Sequence, residues 1–286
     1  MPESPELQAH AERLSATLAG LLLERVDPLS FAVLKTYRPP PEAANGEALV
    51  AVERYGKYLA LRFAPASFVV HLMQGGRLRA GGSTAKRPKG GLMRWRFEGG
   101  QTLLLTEPGT EHRVGVWVVE GDPAGADPIS RIGPEATSLE SPALGERLRV
   151  PPARLHTALR DQSRLAGLGR RLANEVCHRA GTSPFASTAK LDDAALARVA
   201  DAIAACVGES LAEERYRGEF GKAADRTNAV HGRTGQRCPA CGDVVREVAY
   251  QAYTVHYCAG CQTGGKVLAD NTYSKLGIER DPVVED

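Results

Sequence analysis

Two short cysteine pairs near the C-terminus, Cys238-Pro239-Ala240-Cys241 and Cys258-Ala259-Gly260-Cys261, stand sixteen residues apart and limit what this part of the chain can fold into. Each pair forms a knuckle that offers two thiolates, and two such knuckles close a tetrahedral Zn²⁺ site. Four sulfur ligands leave no open position for water, so one zinc ion is expected to be structural rather than catalytic. It would hold together a small hairpin that has no core of its own. Six cysteines would also permit disulfides, but C-x-x-C pairing in a chain read as cytoplasmic points to metal. Cys177 and Cys206 fall on the apolar sides of helical stripes and are expected to be small buried hydrophobes without chemistry.

The rest of the chain has 286 residues, 43% hydrophobic and 24% charged, which suits two ordinary globular domains and excludes disordered or collagen-like architectures. No apolar run approaches a membrane span, and no basic-then-apolar leader opens the sequence. A cytoplasmic protein with no membrane partner is expected. The formal charge of +2 carries no information about partners, but residues 215–266 hold eight Lys or Arg against four Asp or Glu. A polyanion-binding surface would therefore lie around the cysteines.

Leu7, Ala11, Leu14 and Leu18 recur at helical spacing, with Gly20 as a stop. From Leu21 to about Glu120 the pattern becomes short apolar runs such as Leu59-Ala60-Leu61-Arg62-Phe63, Phe68-Val69-Val70-His71-Leu72 and Gln101-Thr102-Leu103-Leu104-Leu105, separated by Gly and Pro. These predict antiparallel strands in a sandwich or barrel. A hinge is expected at 126–145, within a Gly-, Asp-, Pro- and Ser-rich stretch. Helical stripes follow, at Leu172, Val176 and Ala180 closed by Gly181, and at Leu196, Val199, Ile203, Val207 and Leu211. Gly167 and Gly169 before the first stripe suit either backbone approach to a phosphate or tight packing of a turn. The domains expected are 1–125, a helical domain at 146–232, the zinc finger at 233–264 and a flexible tail at 265–286.

The first residues, Met1-Pro2-Glu3-Ser4-Pro5-Glu6, admit two readings. Prolines in a first helical turn with glutamates beside them suit a helix N-terminus. Removal of Met1 would also expose the secondary amine of Pro2 next to a carboxylate. An α-amino group with a pKa near ~8 is partly unprotonated at neutral pH, and such an amine attacks a sugar or carbonyl carbon to give an iminium.

These pieces, in this order, resemble the formamidopyrimidine-DNA glycosylase and endonuclease VIII family of base-excision repair enzymes over almost the whole chain. The matching residues are Pro2-Glu3-x-Pro5-Glu6, Arg54-Tyr55-Gly56-Lys57-Tyr58-Leu59, His71-Leu72, Asp161-Gln162 with Leu165-Ala166-Gly167-Leu168-Gly169, Glu175, and the cysteine finger ending in Gln262. The resemblance implies an α+β fold: an N-terminal helix with an antiparallel β-sandwich domain, a helix-two-turns-helix domain and a C-terminal β-hairpin zinc finger. Damaged double-stranded DNA would lie in the cleft between domains, bound by a monomer. It further implies a bifunctional glycosylase and abasic-site lyase, in which Pro2 attacks C1′ and displaces the base while Glu3 shuttles protons. Lys57, grouped here with the catalytic residues, and His71 would hold phosphates near the flipped-out nucleotide. On their own, the same two residues read as a solvated Lys and a core His.

The departures also bear on function. The family's Asn after Gly169 is Arg170 here, which still suits phosphate. An Arg five residues before the third cysteine is replaced by Tyr253. The Asp-Pro-Arg-x-Phe segment that fills the gap of the flipped base reads Glu107-Pro108-Gly109-Thr110-Glu111-His112-Arg113-Val114. Met73, Gln74, His112 and Arg113 become the candidates for that task. A short 218–232 segment and the Leu-Ala-Gly-Leu-Gly string lean toward endonuclease VIII. Two alternatives stay open, a specialised glycosylase for bulky or alkylated adducts and a non-catalytic DNA-lesion binder.

Overall fold

The computed structural model describes residues 1–82, 88–109, 113–218, 220 and 226–268. They divide into two compact units, Met1–Ile132 with Glu213–Phe220, and Gly133–Ala212 with the described residues of 221–286.

In the first unit, helix α1 (Ser4–Leu18) begins where Glu3 turns extended, and the Glu6 carboxylate accepts the Glu3 backbone N–H at 2.7 Å. Pro5 sits in the first turn, where a missing N–H costs nothing. The expected stripe of Leu7, Ala11, Leu14 and Leu18 is buried, and the helix is closed beyond Leu18 at Gly20, whose φ is +87°. The strands are β1 (Leu23–Pro28), β2 (Ala51–Tyr55), β3 (Tyr58–Arg62), β4 (Ala66–His71), β5 (Arg77–Gly82), β6 (Gly91–Phe97), β7 (Gln101–Thr106) and β8 (Gly115–Glu120). Among the described residues of this unit they form two antiparallel sheets of four, ordered β1-β6-β7-β5 and β2-β3-β4-β8. Trp95 and Phe97 of one sheet meet Leu59, Leu61 and Phe68 of the other in a core that also takes in Leu7, Leu14 and Leu18. The Phe68 and Trp95 rings meet edge to face, 5.5 Å apart at 85°. Each fully buried large apolar side chain contributes about 1.5–3 kcal/mol, so the start of α1 is anchored by core packing.

The second unit contains α2 (Ser141–Arg149), α3 (Leu155–Arg160), α4 (Arg170–Arg179), most of α5 (Asp193–Arg217), the strands β9 (Val245–Ala249) and β10 (Thr254–Cys258), and α6 (Ala259–Thr263). Leu155, Leu159, Leu172, Val176, Val199 and Ile203 lie in one helical core. Cys177 and Cys206 share it, and burial pushes both thiols up, that of Cys206 to about 11. They stay protonated and inert, as expected. The last residues of α5 group with the first unit, where Arg215 pairs with Glu12 at 2.7 Å. No helix among the described residues is long and apolar enough to cross a membrane.

Candidate active site and metal centre

In the first unit, Pro2 is buried immediately ahead of α1 and Glu3 is 4% exposed. Lys57, also 4% exposed, sits in a two-residue turn closed by the pairing of Tyr55 with Tyr58. Gly56 takes the first turn position with φ +54°, the conformation a glycine supplies in type II′ hairpins. Arg54 locks this turn to α1, donating through Nε to the Gln8 amide oxygen at 3.1 Å and through Nη1 to the Gly56 carbonyl at 3.0 Å. His71 ends β4 with its ring 4.7 Å from that of Tyr58. Burial pushes its imidazole down to about 4, and the positive charges of Lys57 and the N-terminal amine push the same way. The amine end, Lys57 and His71 therefore share one neighbourhood. His71 is neutral at pH 7, with Nδ1 accepting the Met73 N–H at 3.2 Å, which leaves the Nε2 proton to donate.

The turn after β4 carries two of the candidate gap-filling residues. Gln74 is exposed, and Met73 holds φ +51°, the single non-glycine in that region among the described residues. Such backbone costs energy and survives where the surroundings enforce it. At Gly76 a Cβ would lie 2.4 Å from the Leu72 carbonyl oxygen, so the turn tolerates no side chain there. Arg113 is exposed, and its backbone N–H and that of Val114 donate to the buried Glu107 carboxylate at 3.1 and 3.2 Å. Glu107 thus braces the segment that departs from the family pattern. His112, with Thr110 and Glu111, lies outside the described residues, as do 219 and 221–225 of the 218–232 segment and residues 269–286 of the tail.

In the second unit the four finger sulfurs converge, all within 4.8 Å of one another, with Cys238 to Cys261 at 3.8 Å and Cys241 to Cys258 at 3.4 Å. A tetrahedral zinc with thiolates at about 2.3 Å sets its sulfurs about 3.8 Å apart, so the donor set fits a metal ion. Surrounding contacts are built for it. A Cβ at Gly260 would come within 3.2 Å of Cys241 Sγ, His178 Nε2 lies 3.2 Å from Cys238 Sγ, and Asp243 Oδ2 accepts the Gly260 N–H at 2.8 Å. Gln262 pins the knuckle to its support, accepting the Cys258 N–H at 2.8 Å and donating to the Thr182 carbonyl at 3.1 Å.

Arg170 opens α4 behind Gly169 and reaches the hairpin turn, with Nη1 3.5 Å from the Ala252 carbonyl oxygen. Tyr253 lies in that turn, stacked on Tyr250 at 4.9 Å. Sequence reasoning gave no role to several residues that organise this unit. Glu175 accepts three backbone N–H groups, from Ala229 at 2.7 Å, Val230 at 3.1 Å and His231 at 2.8 Å, fixing the segment that leads into the finger. Asn174 Nδ2 lies 2.9 Å from His231 Nδ1. Two polar residues side by side between Leu172 and Val176 were the available signal.

Burial lowers six histidines among the described residues, His10, His71 and His231 to about 4, His156 to about 3, and His178 and His256 in the same direction. Each is neutral when folded and takes up a proton in the unfolded chain below about pH 6.5. The unfolded state therefore binds more protons between about pH 6.5 and 4, and stability falls as pH falls through that window. The limiting slope is about 1.4 kcal/mol per pH unit for each such group. Thermal melts from pH 7.5 to 4.5 should show Tm dropping below pH 6.5, and a flat profile would mean these imidazoles are not buried as described.

Residues 1–113 match the family profile described as the formamidopyrimidine-DNA glycosylase N-terminal domain. A formamidopyrimidine-DNA glycosylase of Symbiobacterium thermophilum is 31% identical over 279 residues, covering 92% of this chain and 89% of that one. Among solved structures, the MutM (Fpg) protein of Thermus thermophilus superposes with a TM-score of 0.77 at 27% identity, covering 91% of this chain and 98% of that one. The Lactococcus lactis formamidopyrimidine-DNA glycosylase, non-covalently bound to DNA containing an AP site, shares the fold with a TM-score of 0.79 at 20% identity, over 91% of this chain and 99% of that one.

Proposed function

The chain belongs to the formamidopyrimidine-DNA glycosylase and endonuclease VIII family, and from that premise we propose that it is a bifunctional DNA glycosylase and abasic-site lyase. The observation that supports this reading is that Pro2 and Glu3 are buried ahead of α1 while the charges of Lys57 and of the N-terminal amine both act on His71. Once Met1 is removed, the Pro2 nitrogen attacks C1′ of the damaged nucleotide, the bond from C1′ to the base breaks, and Glu3 supplies the proton that accompanies ring opening and base departure. The resulting iminium acidifies the neighbouring C2′ proton, so β-elimination breaks the 3′ C–O bond and δ-elimination the 5′ one, with no metal in either step. Lys57 as a cation, and His71 through Nε2–H, hold phosphates beside the extruded nucleotide.

Met73, Gln74 and Arg113 occupy the gap left by the base, while Arg170 and the finger turn that carries Tyr253 grip the backbone of damaged double-stranded DNA. Cys238, Cys241, Cys258 and Cys261 hold one Zn²⁺, whose chemistry is that of a closed structural site. The short 218–232 segment and the Leu165-Ala166-Gly167-Leu168-Gly169 string support an endonuclease VIII-like lean among oxidised or otherwise modified bases. The test is borohydride trapping of the processed protein on a panel of duplexes with oxidised, alkylated and abasic sites. A covalent protein–DNA product with base release is expected. Lesion affinity with steep salt dependence but no trapped product on any duplex would replace the enzyme with a lesion sensor.

A further inference from the structure

Three arginines of the second unit reach the hairpin turn at 250–253 without a carboxylate partner among the described residues. Arg154 Nη1 donates to the Tyr250 hydroxyl at 3.0 Å, Arg170 Nη1 lies 3.5 Å from the Ala252 carbonyl oxygen, and the Arg160 guanidinium carbon lies 4.3 Å from the centre of the Tyr253 ring. Arg160 is the last residue of α3 and is half-buried. Its Nη1 is fully buried and makes no hydrogen bond, and the same is true of Nε2 on His156, whose ring stacks with Tyr253 at 6.1 Å and 17°. Tyr250 backs Tyr253 at 4.9 Å and 18°. A planar guanidinium laid on an aromatic face is held by the ring quadrupole while its N–H fork points out along the edge. That edge matches the oxygens of a phosphate, which accept two parallel N–H bonds. Retaining an unpaired cation on a stacked platform is a cost for the free protein, and it is relieved when an anion completes the site.

We propose that Arg160, oriented by the Tyr250–Tyr253 stack, is a phosphodiester-binding residue of this enzyme, and that Tyr253 acts by positioning that guanidinium rather than by contacting DNA. The inference rests on the DNA-repair reading above. It accounts for a tyrosine in the finger turn, because the cation enters from α3 instead.

The test is a salt titration of binding to a duplex carrying a tetrahydrofuran abasic-site analogue. Arg160→Gln keeps a planar stacking group and removes the charge. It should lower the slope of log K against log salt by about 0.9 and weaken binding about tenfold near physiological salt. Tyr253→Ala should produce the same loss, and the double variant should be no worse than either single one, since one contact is lost in all three. Arg160→Lys should recover part of the slope but not the affinity, because an ammonium does not stack as a fork does. Arg179→Ala, which removes an exposed charge paired with Glu209, should leave the slope unchanged. An unchanged slope in Arg160→Gln with a lowered Tm would overturn the assignment and leave Arg160 a packing residue. Additive losses in the double variant would overturn the positioning role of Tyr253. Failure of the wild-type protein to bind this duplex would instead overturn the DNA-repair reading on which the inference rests.

Discussion

Blocking the Pro2 nitrogen is expected to abolish borohydride trapping on abasic DNA altogether. An uncleaved N-terminal tag converts that nitrogen to an amide, whose lone pair is delocalised into the carbonyl and no longer attacks carbon. The fold should survive, because α1 is held by Leu7, Leu14 and Leu18 in the sandwich core and not by its first residue. Pro2→Gly should have the same result by another route, since glycine frees the backbone that the pyrrolidine ring fixes ahead of the helix. Glu3→Gln should separate the two halves of the reaction. Loss of the positioned proton donor should slow base release by about 10²–10⁴-fold while some cleavage of a preformed abasic site persists. Crosslinking that continues undiminished with a blocked N-terminus would place the covalent step on a lysine, and the Pro2 mechanism would be wrong.

Removing the metal should have the second largest effect. The finger's apolar support is two small clusters, Val230, Cys238, Val245 and Cys258 in one and Val248, Tyr257 and Ala259 in the other, too little to hold β9 and β10 together. Structural zinc sites supply apparent binding energies of about 10–16 kcal/mol, which in such modules is the folding energy. Cys241→Ser, or prolonged chelation of the wild type, should release about one equivalent of zinc and weaken duplex binding by roughly 10²-fold or more, because the whole finger loses its fold and with it every DNA contact it makes or positions, the Tyr253–Arg160 stack among them. The Pro2 neighbourhood belongs to the other unit, so trapping on abasic DNA at saturating concentration should partly persist. A folded, active preparation containing less than about half an equivalent of zinc would reject the four-thiolate site.

The parts legible in the sequence were those whose geometry is local. Two knuckles of C-x-x-C spacing bring their sulfurs together almost regardless of context, and the leucine stripe of α1, with its Gly20 stop, follows from helical period alone. Strand positions such as Leu59–Phe63 were visible because short apolar runs are bounded by glycine and proline. Long-range partnerships were not visible. Nothing at Arg160 announces that a tyrosine of the finger turn will lie under it, or at Glu107 that its carboxylate will brace Arg113 and Val114. Glu175 could be matched to the family, but its role as acceptor for three successive amides emerges only when 229–231 is folded against α4. Charges and aromatic rings on loops and helix ends have no period to betray them, and their meaning is set by what tertiary folding places opposite.

The two-residue turn that carries Lys57 bears on how this lineage can change. Tyr55 faces Tyr58, and β3 is buried on both sides, with Leu59 and Leu61 in the main core and Ala60 in a separate cluster with Val69, Val119 and Ile129. One inserted residue would slip the register and exchange those faces, forcing leucines into the space of an alanine and leaving an alanine where leucines were. Lys57 can therefore be replaced in evolution, but it cannot be shifted along the chain by insertion or deletion. The distance in sequence from Lys57 to the end of β3 at Arg62 is protected by the packing of that strand, so alignments of distant relatives should stay gap-free there even where every side chain has drifted, and length changes should fall instead in the turn before β4, where Ala64 and Pro65 are exposed.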